Sequence, residues 1–297
     1  MTQGVEFDVD ARGIGTLTFD FEGKVNVMND AFMQAMEVLV PQVEARREAL
    51  SGLILSSAKN TFFAGGDLAL MGRSKPGMEA FLLEHFERLK GYFRRLEMLG
   101  VPMVAAINGT ALGGGYELCL ACHHRVAIDR PDARIGLPEV GFGILPAAGG
   151  VIRLTHLLGL ENALEYLLTG RKVTPAEAHA EGLIDALAPD QPALLAAARA
   201  WIEANPAPVQ PWDRPRAQGA HQLAPPQRQA LLSAAAWMRR IAGPELSQAA
   251  VRITDVAVQS LYLPWDCASR IETRGFVELL MSDAAQRKIA AFFAPKA

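Results

Sequence analysis

The sequence is poor in cysteine, in net charge and in long apolar runs, and each shortage removes a class of protein. Its three cysteines, Cys119, Cys122 and Cys267, cannot build a disulfide framework, which points to a reducing compartment such as the cytoplasm. Cys119 and Cys122 stand three apart in an apolar run beside His123 and His124. That spacing fits no familiar zinc pattern, so buried structural thiols are expected and no metal. A formal charge of −3 leaves no electrostatic footprint for nucleic acid or an anionic membrane surface. No run of eighteen apolar residues appears, so no membrane span is expected. The opening MTQGVEFDVD has neither the basic nor the apolar part of a signal peptide. No GxGxxG follows a strand pattern, and no internal repeat of fixed period is present.

What is there is a chain of 297 residues, half of them hydrophobic, enough for a substantial core. Val5–Val9 and Leu17–Phe21 alternate about a turn at Asp10–Gly13 and read as a hairpin. Asn29 or Asp30 caps a helix to about Ala45, which Pro41 is expected to kink or divide. Leu53–Leu55 reads as a buried strand, and Met78–Leu99 as a long helix closed by Gly100. Leu82, Phe86, Leu89, Phe93 and Leu96 recur at alternating spacings of four and three, a core-facing stripe. Arg125–Ile128 is a short strand. Helices follow at 151–158 and 161–169, then one opened by the capping box Thr174-Pro-Ala-Glu177, then a strand over Leu183–Leu187 and a helix over 193–204. Six prolines between Asn205 and Gln227 mark a linker or extended crossing. Beyond it only helical patterns occur, near 227–242, 244–262, 270–281 and 283–293. The expected division is a mixed α/β body over residues 1–204 and a Pro-rich linker with an all-helical region over 205–297.

One stretch organises the chain. Val101–Ile107 reads as a strand buried on both faces, Asn108-Gly109 as a turn, and Gly113-Gly114-Gly115 leads into an apolar helical run at Glu117. Three glycines together cost conformational entropy. They serve either close packing or a need for outward-pointing amides. Glu117, in the first turn of an apolar helix, is paired, exposed or catalytic. A second strand-to-helix junction with glycines runs Phe63-Ala64-Gly65-Gly66-Asp67-Leu68, where Asp67 suits a helix cap. A second carboxylate, Glu139, sits in the apolar, glycine-rich run Gly136-Leu-Pro-Glu139-Val-Gly-Phe-Gly-Ile-Leu-Pro146; a surface loop would serve it as well as a site would.

Together Phe63–Leu68, Ala105–Glu117, Gly136–Glu139 with Gly143–Pro146, and Thr169–Lys172 with Ala176–Ala178 and Gly182–Asp185 resemble the crotonase (enoyl-CoA hydratase/isomerase) superfamily. The resemblance covers about residues 5–204. The tail, Gly275–Leu280 and Ala291–Phe293, is similar to the helical segment that joins hydratase to dehydrogenase in multifunctional fatty-acid oxidation proteins. It implies an α/β fold, a spiral of ββα turns, here with a C-terminal helical extension. It also implies a coenzyme A thioester as substrate, with CoA part of that substrate and no separate cofactor. By the family's pattern the amides of Ala64 and Gly114 form an oxyanion hole and Glu117 and Glu139 activate water. The backbone around Val25, Gly66, Asp67 and Leu68 holds the CoA moiety. The spacer from Glu117 to Glu139 is two residues longer than the family's common spacing, with the surplus expected in a surface turn at Asp129–Asp132. Ala147 replaces a glycine often found after the preceding proline.

The chemistry so implied is addition of water to a 2-trans-enoyl-CoA to give the 3-hydroxyacyl-CoA. Two backbone N–H groups would stabilise charge on the thioester oxygen, and two carboxylates around one water would move the protons. Double-bond isomerisation, a non-catalytic assembly subunit and thioester hydrolysis are the competing expectations. A homo-trimer, a hexamer or association with a dehydrogenase domain is the expected assembly, with no nucleic acid or membrane partner.

Overall fold

The computed structural model describes residues 3–214 and 223–294, so part of the expected Pro-rich linker lies outside the described residues. The strands are β1 (Val5–Val9), β2 (Ile14–Phe19), β3 (Gly52–Ser57), β4 (Met103–Ile107), β5 (Ala111–Leu112), β6 (His124–Ile128), β7 (Ile135–Gly136) and β8 (Ala186–Ala188). The helices up to the linker are α1 (Asp30–Ala45), α2 (Leu68–Arg73), α3 (Glu79–Glu97), α4 (Gly114–Ala121), α5 (Gly150–Leu158), α6 (Leu160–Thr169), α7 (Pro175–Ala180) and α8 (Gln191–Ala204). After it come α9 (Pro225–Ala242), α10 (Gln248–Ser260), α11 (Trp265–Leu280) and α12 (Asp283–Phe293).

The chain divides into two compact units that it enters more than once. The first is Met1–Gly66, Leu89–Gly136 and Lys172–Gln210; the second is Asp67–Arg88, Leu137–Arg171 and Pro211–Ala297. The C-terminal helices therefore do not form a unit of their own, as a division at 204/205 would have it. They share one with residues 67–88 and 137–171.

In the first unit, six strands form a sheet in the order β1-β2-β3-β4-β6-β8. β1 and β2 are the antiparallel hairpin, with Val5 opposite Phe19, and every later neighbour is parallel. Parallel pairing needs long crossovers and leaves both faces to be covered. Ile54, Val104, Ala106 and Val126 project to one face, where they meet Leu194, Ala198 and Ile202 of α8. Side chains alternate along a strand, and the residues between these serve the other face. There Phe19 lies 5.0 Å from Phe63, and Phe32 of α1 lies 5.7 Å from Phe63 and 6.4 Å from Phe93. β5 and β7 pair separately, Ala111 opposite Ile135.

Local chemistry sets the helix ends. Asn29 accepts from Phe32 N to cap α1, and Thr174 and Glu177 form the reciprocal box at α7. Pro41 does not divide α1, which runs unbroken to Ala45. The residue is exposed, so water reaches the carbonyl its missing N–H would have met. Arg130 and Asp132 pair at 2.6 Å in the expected exposed turn before β7. His123 Nδ1 accepts from Met103 N at 3.0 Å, and His124 stacks on Trp201 at 4.6 Å, so both histidines serve the fold.

In the second unit the buried carboxylate of Glu272, on α11, accepts the N–H groups of Gly149 at 2.8 Å and Val151 at 3.1 Å. Both donors belong to the start of α5, whose free amides and positive dipole end favour an anion. Hydrogen bonds to a charged acceptor are the stronger class. Glu272→Ala is therefore expected to lower the unfolding free energy by about 3 kcal/mol, read as a fall in the urea midpoint. Glu272→Gln, which keeps one acceptor oxygen, should lose less.

Candidate active site

β4 and α4 deliver the first candidate residues. The strand ends at Ile107, and Asn108 Nδ2 donates to Lys59 O at 2.6 Å and Ser57 O at 3.2 Å. The chain then turns through Gly113, whose φ of 54° belongs to the left-handed region that favours glycine. The helix begins at once, so two of the three glycines lie inside α4 rather than ahead of it. Each has its own reason. A Cβ on Gly115 would lie 2.4 Å from Phe63 Cβ and 2.8 Å from Phe63 O, an impossible overlap with backbone. A Cβ on Gly114 would lie 2.9 Å from Met28 Sδ and 3.6 Å from Gly66 N. The Phe63–Gly66 segment thus runs directly against the first turn of α4.

This placement corrects one of the expected amide donors. The Ala64 N–H is already spent: it donates to Asn26 O at 2.9 Å, and the residue faces outward. Two residues on, the Gly66 N–H makes no hydrogen bond among the described residues, and neither does that of Gly114, the first residue of α4. Gly66 and Gly114 are therefore the pair of main-chain amides that approach each other. Gly66 is held from behind by a parallel bridge to Met28, whose N–H donates to Gly65 O at 3.1 Å. The motif marks the glycine-rich segment, but the Ala64 amide in it is committed to the fold. Nothing in the motif says which N–H a neighbouring loop will consume.

Glu117 follows Gly114 by three residues, so the two share a face of α4. Helical side chains lean toward the N-terminus, which brings the carboxylate back toward the Gly114 amide. Every residue of α4 is buried, and Glu117 is only 3 % exposed. Burial in the same helix pushes the Tyr116 phenol and the Cys119 thiol well up, so both stay protonated and non-nucleophilic. The Tyr116 hydroxyl is committed to Leu183 O at 2.8 Å.

Val25 is half-buried in the loop after β2, beside Asn26. Asp67, Leu68 and Glu139 belong to the second unit. Asp67 caps α2 by accepting from Leu70 N at 2.8 Å, so its carboxylate has a structural task and any ligand contact falls to backbone. Glu139 is half-buried and opens a 3-10 turn, Glu139–Phe142, closed by Gly143 at φ 78°. That turn is held within its unit by α12: Phe142 lies 5.6 Å from Phe292, and a Cβ on Gly143 would lie 3.3 Å from Ala285 Cα. α12 also reaches α2, where Gln286 Nε2 donates to Met71 O at 3.1 Å. The last helix thus supports both the Asp67–Leu68 corner and the Glu139 turn. Among the described residues no group of three or more His, Cys, Asp or Glu side chains could hold a metal ion, and no helix is long and apolar enough to cross a membrane.

A profile described as Enoyl-CoA hydratase/isomerase matches residues 10–209. The chain belongs to the enoyl-CoA hydratase/isomerase family. It is 39% identical over 176 residues to the "Fatty acid oxidation complex subunit alpha" of Acinetobacter baylyi, a match covering 59% of this chain and 24% of that protein. With the protein of the same name from Acinetobacter baumannii strain AYE it shares 37% over 178 residues, covering 60% and 24%. The chain thus spans about a quarter of the length of these curated relatives. Among solved structures, human mitochondrial delta3-delta2-enoyl-CoA isomerase superposes with a TM-score of 0.67 at 22% identity, over 98% of this chain and 96% of that one. An enoyl-CoA hydratase from Bacillus anthracis superposes with a TM-score of 0.61 at 24% identity, over 87% and 91%. These likenesses establish the crotonase fold expected from the motifs: mixed α/β with a largely parallel sheet and C-terminal helices.

Proposed function

We propose that the chain hydrates a 2-trans-enoyl-CoA to the 3-hydroxyacyl-CoA. The observation that carries this reading is the approach of the Gly66 and Gly114 amides at the start of α4, with buried Glu117 one turn along. Negative charge moves onto the thioester oxygen as water attacks the β-carbon. Two fixed N–H donors and the positive end of a helix stabilise that charge without reorganising. By the family's pattern Glu117 and Glu139 are the acid and base that serve the attacking water. One takes its proton, and the other supplies the proton that the α-carbon receives. Glu139 enters on its motif, Gly136-Leu-Pro-Glu139, which stands where the family places its second acid. Backbone at Val25, Gly66, Asp67 and Leu68 receives the CoA portion, and the substrate brings all the CoA the reaction needs.

The relatives named as subunits of a fatty acid oxidation complex support a role in acyl-CoA breakdown, with a dehydrogenase taking up the 3-hydroxyacyl product. The free thiols of Cys119, Cys122 and Cys267 support the cytoplasm as the compartment. Isomerisation of a 3-enoyl-CoA is the second reading, favoured by the fold shared with the human isomerase. Purified protein given crotonyl-CoA should consume the enoyl absorbance and form 3-hydroxybutyryl-CoA. Turnover of a 3-enoyl-CoA without hydration would favour the second reading, and no turnover of either would overturn both.

A further inference from the structure

Asn26 lies in the loop after β2 and is wholly buried, although it is polar and surrounded by apolar residues. Both polar atoms of its side chain are hydrogen-bonded. Oδ1 accepts from Phe21 N at 3.0 Å, while Nδ2 faces Ser57 Oγ at 2.9 Å, Phe62 O at 3.1 Å and Phe19 O at 3.3 Å. Its carbonyl takes the Ala64 N–H at 2.9 Å. Ser57 Oγ in turn donates to Thr61 O at 2.7 Å and accepts from Lys59 N at 3.1 Å. Asn108, on the approach to α4, grips the same loop through the carbonyls of Ser57 and Lys59. Residues 57–64 are thus fastened on one side by Asn26 and on the other by the segment that leads to Gly114.

A buried hydrogen-bond network of this kind restrains what it holds, and an apolar residue would have cost less to bury. What it holds is the loop that ends at Gly66. We infer that Asn26, through Ser57, is a positioning residue that sets the Gly66 amide against the Gly114 amide. This inference rests on the proposed reading of those two amides as the thioester-oxygen donors. Asn26 touches no reacting atom. A loop displaced by a fraction of an ångström still binds CoA but polarises the carbonyl less.

The test uses butyryl-CoA labelled with carbon-13 at the thioester carbonyl, a saturated ligand that cannot be hydrated, with the bound carbonyl stretch read by isotope-edited infrared difference. The wild-type protein should shift the stretch to lower frequency than in free butyryl-CoA. Ser57→Ala and Asn26→Asp, which removes the Nδ2 donors but keeps an acceptor for Phe21 N, should still bind the ligand and lose most of that shift. Their kcat on crotonyl-CoA should fall about 10–10²-fold, with KM nearly unchanged. Should Asn26→Asp fail to fold, Ser57→Ala carries the test. A wild-type shift retained in full by the folded variants overturns the inference alone. No shift in the wild type overturns the amide reading and the inference with it.

Discussion

Gly114→Ala is expected to cut kcat on crotonyl-CoA at least about 10²-fold, the usual loss when one donor of an oxyanion site is displaced. The substitution keeps the N–H and adds only a methyl. That methyl would lie 2.9 Å from Met28 Sδ and 3.6 Å from Gly66 N, so Met28 must yield or the two amides must part. Met28 is buried and is bridged to Gly66, so its movement is passed to the second donor. Alanine suits a helix better than glycine by about 1 kcal/mol, which offsets part of the strain, and the unfolding midpoint should move little. A folded Gly114→Ala protein with wild-type kcat would show that the start of α4 does not face the reacting oxygen. Gly115→Ala offers no such separation, because its methyl would overlap the Phe63 carbonyl and the fold itself would suffer.

Much of the fold was legible because its signals are local. The caps at Asn29 and Thr174 and the runs over α6 and α12 all act within a few residues. β5 and β7 were not legible: two residues carry no period, and each exists only because the other is there. The composition change after Asn205 suggested a separate helical region, whereas α11 closes the start of α5 with Glu272 and α12 braces the Glu139 turn. Those are non-local pairings that amphipathic spacing does not encode. At the candidate site, the motifs point to the two glycine-bearing segments that meet at the start of α4. Which amide of Ala64-Gly65-Gly66 stays unspent was decided by Asn26, a residue that reads in the sequence as one more loop position. Its importance lies in five hydrogen bonds, three of them to the distant segment Ser57–Ala64, and the only hint in the sequence is a polar residue flanked by Val25 and Val27.

Glu117→Gln and Glu139→Gln should each cost hydration about 10²–10⁴-fold in kcat, the range of general acid–base catalysis, equivalent to about 2.7–5.5 kcal/mol of barrier. Glutamine keeps the volume and the hydrogen-bonding reach of each side chain and removes only the ability to exchange a proton. If both carboxylates hold one water, their losses should not add: the double variant should be little worse than either single one, as for groups that act as a unit. An isomerase needs a single proton shuttle, so in that case one substitution would be mild and the other severe. The two glutamates also differ in what else they should reveal. Glu117 is enclosed in α4, and glutamine keeps its volume, so Glu117→Gln should leave the protein folded with its cooperative unfolding transition intact. Glu139 is half-buried, and its substitution should leave stability where it was. Rates that fall only in step with a falling midpoint, for either residue, would reduce that glutamate to a part of the fold and leave the proposed hydration without its acid or its base.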